Sequence, residues 1–399
     1  MYDSGRMVKV NVALIVLLLL FVAVLGIRAL IGPDMAWTYD KVFRGPETGR
    51  LSDVIATADD DIWVVGNATD ATDATDRDGD GDDSADDGFL LHDDGTGWER
   101  RPMPESFGRS VHEARFDAVD SGGVLLTASA RDLGAPRMAH WNGTRWTPVP
   151  RLPDDPRIAD VRAFAPDDIW VLGGGTRAYH WDGARWTALD LPVTAGALDG
   201  VAPDDVWAVG SRDRDPGGDP EGRYAQPAAA HWDGRAWKSV PTPGYRYGVP
   251  APEQTAYLTE VVALGDDDVR AYGELTSVSE DDEPDPPEQG IRLRWNGTGW
   301  TKLPNAEGAC AERGRAVRDG DRGSVLGAKW YRSADGDCEG IAQPELPSGG
   351  GISPDARQSL RLHAITAVPG TDTVLGVGSV DVSQGGNPTS RSVIAHLER

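Results

Sequence analysis

Cysteine is nearly missing from this 399-residue sequence, which has two, and basic charge is scarce: 39 Lys and Arg face 64 Asp and Glu, for a formal net charge of −25. Neither cysteine is near the N-terminus, which excludes a lipidated N-terminal cysteine. A surface this acidic lacks the phosphate-neutralising groups that dominate duplex binding, so nucleic acid is excluded as a partner. It would also be repelled by anionic lipid headgroups. Hydrophobic residues make up only 39% of the chain, little for a buried core. No Gly-x-Ser-x-Gly, His-Glu-x-x-His, phosphate loop or dinucleotide fingerprint occurs, so no enzyme class is assigned by motif.

What is abundant is tryptophan, 14 residues, and it recurs in a pattern. Asp61-Ile62-Trp63-Val64-Val65-Gly66 returns as Asp168-Ile169-Trp170-Val171-Leu172-Gly173 and Asp205-Val206-Trp207-Ala208-Val209-Gly210. Each is a short apolar run without helical period, suited to a strand buried on both faces. Downstream come His140-Trp141-Asn142-Gly143, His180-Trp181-Asp182-Gly183, His231-Trp232-Asp233-Gly234 and Arg294-Trp295-Asn296-Gly297, each closed by a second Trp. The Asn-Gly or Asp-Gly pair predicts a two-residue hairpin with φ > 0 at both turn positions. Prolines 104, 150, 192, 241 and 304 are expected to end each last strand. A repeat of this length is one supersecondary unit, here a four-stranded β-propeller blade. Its Trp residues read as packing units, because large rings dominate core burial.

In chain order, residues 1–9 form a short tail with Arg6 and Lys9, and an apolar run follows from Val10 to Ile27. Eighteen helical residues span about 27 Å, close to a bilayer's hydrocarbon core. Residues 10–31 are therefore expected to be a signal-anchor helix with a cytoplasmic N-terminus and an exported C-terminus. Cleavage as a signal peptide near Val24-Leu25-Gly26 is the alternative. After a linker at 32–35, residues 36–399 are expected to form an extracytoplasmic propeller. Its blades fall at 51–104, 111–150, 158–192, 196–241, 257–304, 314–347, and 360–399 joined to 36–43, the N-terminal strand completing the last blade and closing the ring. Seven blades is the reading, and six plus an irregular segment the alternative, since 314–347 shows no fourth strand.

The inserts at 67–88, 211–227 and 277–290, with the links at 242–256 and 305–314, all fall on one face of such a disc, which commonly marks a binding face. The chain would enter from the opposite, hairpin face, which would then lie toward the membrane. Asp76, Asp78, Asp80, Asp82 and Asp87 fit most of an EF-hand-like calcium loop, although position twelve is Asp, not Glu. Asp53, Arg115, Asp160, Asp199, Glu260 and His363 fall at the start of the innermost strands, at the channel mouth. There they could bind a ligand or satisfy neighbouring backbone donors. The recurring histidines lie far from the axis and read as structural. Cys310 and Cys338 are expected to form a disulfide, given export.

The repeat resembles that of bacterial exported β-propellers grouped with kelch or galactose-oxidase-like proteins. Asp93, Gly95 and Trp98 resemble fragments of the Asp-box of sialidase propellers, without its Ser and Thr. The resemblance implies a propeller fold and no particular activity. The function expected is a membrane-anchored binding or scaffold module for a protein or cell-envelope partner. The alternatives are a calcium-dependent sensor or adhesion module, and a glycan-active enzyme with its site at the channel mouth.

Overall fold

The computed structural model describes residues 35–43, 49–68, 87–108, 111–129, 136–154, 157–214, 224–246, 253–278, 285, 287–304, 310, 316–349, 351–385 and 389–399. These residues form an all-β propeller of 27 strands. Strand β1 (Ala36–Val42) opens the chain. Sheet I holds β2 (Arg50–Ala58), β3 (Asp61–Ala68), β4 (Asp87–Asp93) and β5 (Trp98–Pro102); sheet II holds β6 (His112–Ala118), β7 (Val124–Ser129), β8 (Arg137–Trp141) and β9 (Trp146–Val149). Sheet III has seven strands: β10 (Asp160–Ala165), β11 (Asp168–Leu172), β12 (Gly175–Trp181), β13 (Trp186–Ala202), β14 (Asp205–Arg214), β15 (Tyr224–Trp232) and β16 (Trp237–Val240). Sheet IV comprises β17 (Glu253–Gly265), β18 (Asp268–Val278), β19 (Gln289–Trp295) and β20 (Trp300–Lys302). Sheet V comprises β21 (Ala316–Asp319), β22 (Gly323–Leu326), β23 (Trp330–Ser333) and β24 (Cys338–Gly340). Sheet VI is β25 (Arg357–Ala367), β26 (Val374–Ser383) and β27 (Thr389–Glu398), completed by β1.

The second strands are the most buried, as their β-branched runs require: Ile169, Trp170, Val171 and Leu172 on β11 are all 1% exposed or less. Closure by the N-terminal strand is present, with Ala36 opposite Glu398 and Val42 opposite Val393. Trp37 is 1% exposed and its indole N–H donates to the Ala328 carbonyl (3.0 Å). The Tyr39 hydroxyl donates to the Pro344 carbonyl (2.8 Å).

Several expectations change. The count of separate four-stranded blades is five, not seven, because 158–192 and 196–241 merge into sheet III. Strand β13 runs unbroken through Pro192, which sits inside a register shift between the Arg177↔Asp190 and Gly175↔Ala195 pairs. At such an irregularity no ladder N–H is needed, so proline does not end the strand. The segment 314–347 does have a fourth strand, β24. The hairpins at Asn142, Asp182, Asp233 and Asn296 are four-residue loops, as the Trp141↔Trp146 and Trp181↔Trp186 pairs show. Only the glycine has positive φ, 83° at Gly183. The side-chain oxygen of Asp182 accepts from the Ala184 (2.9 Å) and Arg185 (2.8 Å) amides, so an Asx turn replaces the second φ > 0 residue.

No helix among the described residues is long and apolar enough to cross a membrane, and the expected span at 10–31 lies outside them. Cys310 and Cys338 form the expected disulfide, Cα–Cα 5.8 Å.

Candidate functional site

The six expected channel-mouth residues all lie on innermost strands, and the structure places five of them in contacts with the next sheet or half-sheet. Asp53 on β2 accepts from its neighbour Val54 N–H with Oδ1 (2.9 Å) and from Phe116 N–H of sheet II with Oδ2 (2.7 Å). Asp160 on β10 does the same to Val161 (3.0 Å) and to Leu198 (2.8 Å) in the far half of sheet III. Asp199 on β13 accepts from Gly200 (2.8 Å) and from Ala263 of sheet IV (2.9 Å). Arg115 on β6 donates to the Ala159 carbonyl (3.1 Å) and lies 3.6 Å from Asp160. The His363 ring nitrogen Nδ1 is 2.7 Å from the Leu51 carbonyl of sheet I. Glu260 holds the position of Asp53 on β17, directly after a register shift. Asp53, Asp160 and Asp199 therefore act as staples, each carboxylate closing an amide on its own strand and one on the neighbour.

Arg162 was not among the sequence candidates, yet it is the best-connected cation of the inner ring. From β10 it forms a bidentate pair with Asp120 (2.8 and 2.7 Å), meets Asp199 at 3.0 Å, donates to the Gly200 carbonyl and lies 4.7 Å over the Phe164 ring. Its two-residue spacing from Asp160 puts both on one sheet face. That was the available signal. Beside it a cleft of about 400 Å³ is lined by Asp120, Phe164, Asp167, Asp168, Val201 and Pro203. It opens on the face of the strand-one-to-two turns.

The histidines form a second repeated unit. His92, His180 and His231 each meet the first Asp of their own motif, at 2.9 Å for Asp61, 2.9 Å for Asp168 and 2.7 Å for Asp205. Each stacks on the following Trp, with centroids 4.0, 4.4 and 4.4 Å apart. That Trp is a wedge between the Trp pair of the next sheet or half-sheet: Trp63 against Trp141 and Trp146, Trp170 against Trp232 and Trp237, Trp207 against Trp295 and Trp300.

Of the expected calcium loop, Asp76, Asp78, Asp80 and Asp82 lie outside the described residues. Asp87 begins β4 and pairs with Ala68. Among the described residues no three His, Cys, Asp or Glu side chains are grouped to hold a metal.

A further acid-rich feature was not anticipated. The strand-one-to-two turns carry exposed Asp59, Asp60, Asp167, Asp204, Asp267 and Asp321 on the hairpin face, none in an ion pair among the described residues. An orientation with that face toward anionic lipid thus gains nothing from charge.

No family model and no curated protein matches the chain. Solved structures do. One of a yeast (S. cerevisiae) Dbp5 variant bound to Nup159, a Gle1 variant, IP6 and ADP matches with 11% identity and a TM-score of 0.43, covering 92% of this chain and 96% of that chain. The N-terminal domain of Nup159 gives 9% identity and 0.37, covering 92% and 97%. YCF48 bound to D1 peptide gives 14% and 0.32, covering 67% and 85%. At these values the propeller assignment rests on the strand topology, and the kelch part of the resemblance gains no support.

Proposed function

We propose that the protein is a membrane-anchored, extracytoplasmic binding module that docks a protein or cell-envelope partner on the face bearing its strand-two-to-three loops. The observation that carries this reading is a set of long two-stranded arms on that side. Strands β14 and β15 stay paired out to Arg214↔Tyr224, β17 and β18 to Glu253↔Val278, and β25 and β26 to Arg357↔Ser383. Such arms hold the bases of the acidic inserts at fixed places, and loops on a rigid scaffold are where binding concentrates. The register of β1 supports an anchor on the opposite side, because Ala36 lies beside Glu398, which puts the start of β1 at the hairpin face. Sheet III then counts as two blades sharing β13, which makes a seven-bladed disc.

The test is cross-linking in intact cells, followed by co-purification of the full-length chain beside a version in which 69–86 and 279–288 are each replaced by a short Gly-Ser turn, so that the strands stay whole. A partner recovered only with the full-length chain is expected, from the membrane fraction. Equal recovery by both versions, or recovery from a soluble fraction alone, would overturn the reading.

A further inference from the structure

The hairpin between β8 and β9 is turned by Asn142, and that between β19 and β20 by Asn296. Asn142 Oδ1 accepts from the Thr144 (3.1 Å) and Arg145 (3.0 Å) amides, and Asn296 Oδ1 from the Thr298 (3.1 Å) and Gly299 (3.0 Å) amides. Backbone amides only donate, so the group turned toward them is the oxygen, and Nδ2 is held on the other side. Neither Nδ2 makes a hydrogen bond among the described residues, and Asn142 and Asn296 are both exposed. The fold uses one end of each carboxamide and leaves the nitrogen free.

The turn does not require that nitrogen. Asp182 and Asp233 hold the equivalent hairpins with a carboxylate, Asp182 on the Ala184 and Arg185 amides and Asp233 on those of Arg235 (3.1 Å) and Ala236 (3.0 Å). Both Asn turns add a hydroxyl, since Thr144 and Thr298 each donate from Oγ1 to the Asn oxygen at 2.9 Å. Asp94 takes the same pair of bonds from the Thr96 amide and hydroxyl, so the hydroxyl contact is itself turn chemistry. What sets Asn142 and Asn296 apart is a free carboxamide nitrogen presented beside it.

Asn-x-Thr is the acceptor pattern for N-linked sugar, which suits exposed loops of exported chains. With x other than proline it occurs three times here, at Asn67, Asn142 and Asn296. The structure separates the three. Asn67 lies within β3, opposite Arg50 and Gly88. Its Nδ2 donates to the Val111 carbonyl (2.9 Å) and its Oδ1 is buried. That nitrogen is already spent.

We propose that Asn142 and Asn296 are N-glycosylation sites and that Asn67 is not, given the exported, anchored propeller proposed above. The two hairpin tips lie on the hairpin face, the side of the anchor, from which a membrane-bound transferase would approach. The substrate class is a saccharide carried on a polyprenyl pyrophosphate. Nδ2 attacks the anomeric carbon, and the new C–N bond forms as the bond from that carbon to the pyrophosphate oxygen breaks. Polyprenyl pyrophosphate leaves with the electron pair, and the amide proton passes to a base of the transferase. Nothing is oxidised or reduced.

Peptide mapping by mass spectrometry, on the full-length chain purified from membranes of its own cells, tests this. The peptides holding Asn142 and Asn296 are expected to be heavier by whole sugar residues, and the Asn67 peptide to keep its unmodified mass. Thr144→Ala should strip the sugar from Asn142 alone, and Thr144→Ser should keep it. The turn itself survives that change, as Ala184 in the equivalent hairpin shows. Protease added to intact cells reads export separately. An unmodified Asn142 or Asn296 in protein that the protease reaches would overturn the proposal alone; the same result in shielded protein would overturn the export reading with it. Sugar on Asn67, or sugar on Asn142 that survives Thr144→Ala, would also overturn it.

Discussion

At the scale of single residues, Asp319 is the clearest case of a side chain whose worth lies in its partners. It is 2% exposed and is held by Arg322 (2.9 Å), Arg399 (2.5 Å) and the Tyr331 hydroxyl (2.8 Å). Burial alone would raise its pKa, but the hydrogen bonds from Arg322 and Tyr331 and the Arg399 charge prevail and hold it below the usual carboxylate range. Burial and the Asp319 carboxylate push Tyr331 up to about 12, and burial pushes Tyr39 to about 12. Asp319→Ala leaves Arg399 and the buried Tyr331 hydroxyl without their acceptor, while Arg322 keeps Asp372 (2.9 Å), and should cost about 1–3 kcal/mol in urea unfolding. A depressed carboxyl contributes stability above its unfolded value, lost as pH falls through the folded one. The raised tyrosines contribute below pH about 10 and lose that contribution as pH rises toward 12. The wild-type urea midpoint should therefore fall at both ends, and Tyr331→Phe should flatten the alkaline limb. An alkaline limb identical in that variant would rule this out. This site was not legible in the sequence, because Asp319, Tyr331 and Arg399 belong to none of the recurring motifs and Arg399 reaches the other two only where sheets V and VI meet.

At the scale of elements, the junctions between sheets carry the fold, and the Trp wedge is their main device. Trp207 is 2% exposed, stacked on His231 and bracketed by Trp295 and Trp300 at 5.0 and 5.3 Å. Trp207→Ala should cost about 3–5 kcal/mol. Arg270→Ala, at the same repeat position on β18, should cost under about 1 kcal/mol, since its pair with Asp268 (3.3 Å) is partly exposed and Asp268 keeps Arg294 (2.9 Å). Equal losses from the two would show that the position matters in the strand and not in the junction. The strands themselves were legible because a doubly buried strand demands an apolar run and its Trp-Asp-Gly partner demands a turn. The turn type was misread, since an Asx carboxylate can cap two amides in place of a second φ > 0 residue. The inner-strand residues were found at their repeat positions. Their stapling of neighbouring amides was one of two readings the sequence left open, because a carboxylate at a mouth reads alike whether it faces a ligand or the next strand.

At the scale of the whole molecule, the disc could be inferred from repetition, but its divisions could not. Pro192 looked like a boundary because proline ends ladders, yet the register shift around it lets β13 serve two half-sheets. β1 completing sheet VI was legible from counting strands, and Arg294 in the place of the recurring His already marked sheet IV as unlike the others. Charge acts at this scale too. With a net charge of −25 and turn carboxylates such as Asp167, Asp204 and Asp267 on one face with no ion pair among the described residues, the folded state repels itself more than the expanded chain does. Raising NaCl from about 10 mM to about 150 mM shortens the Debye length from about 30 Å to about 8 Å. Relief of about 1–2 kcal/mol is expected, a rise in Tm of roughly 1–3 °C by calorimetry. Asp167→Asn, Asp204→Asn and Asp267→Asn combined should raise Tm at low salt and shrink the salt response, since the repulsion they remove is the repulsion salt screens. If the triple variant keeps the full salt response, the strain lies elsewhere in the acidic surface and the hairpin-face carboxylates are too well solvated to matter.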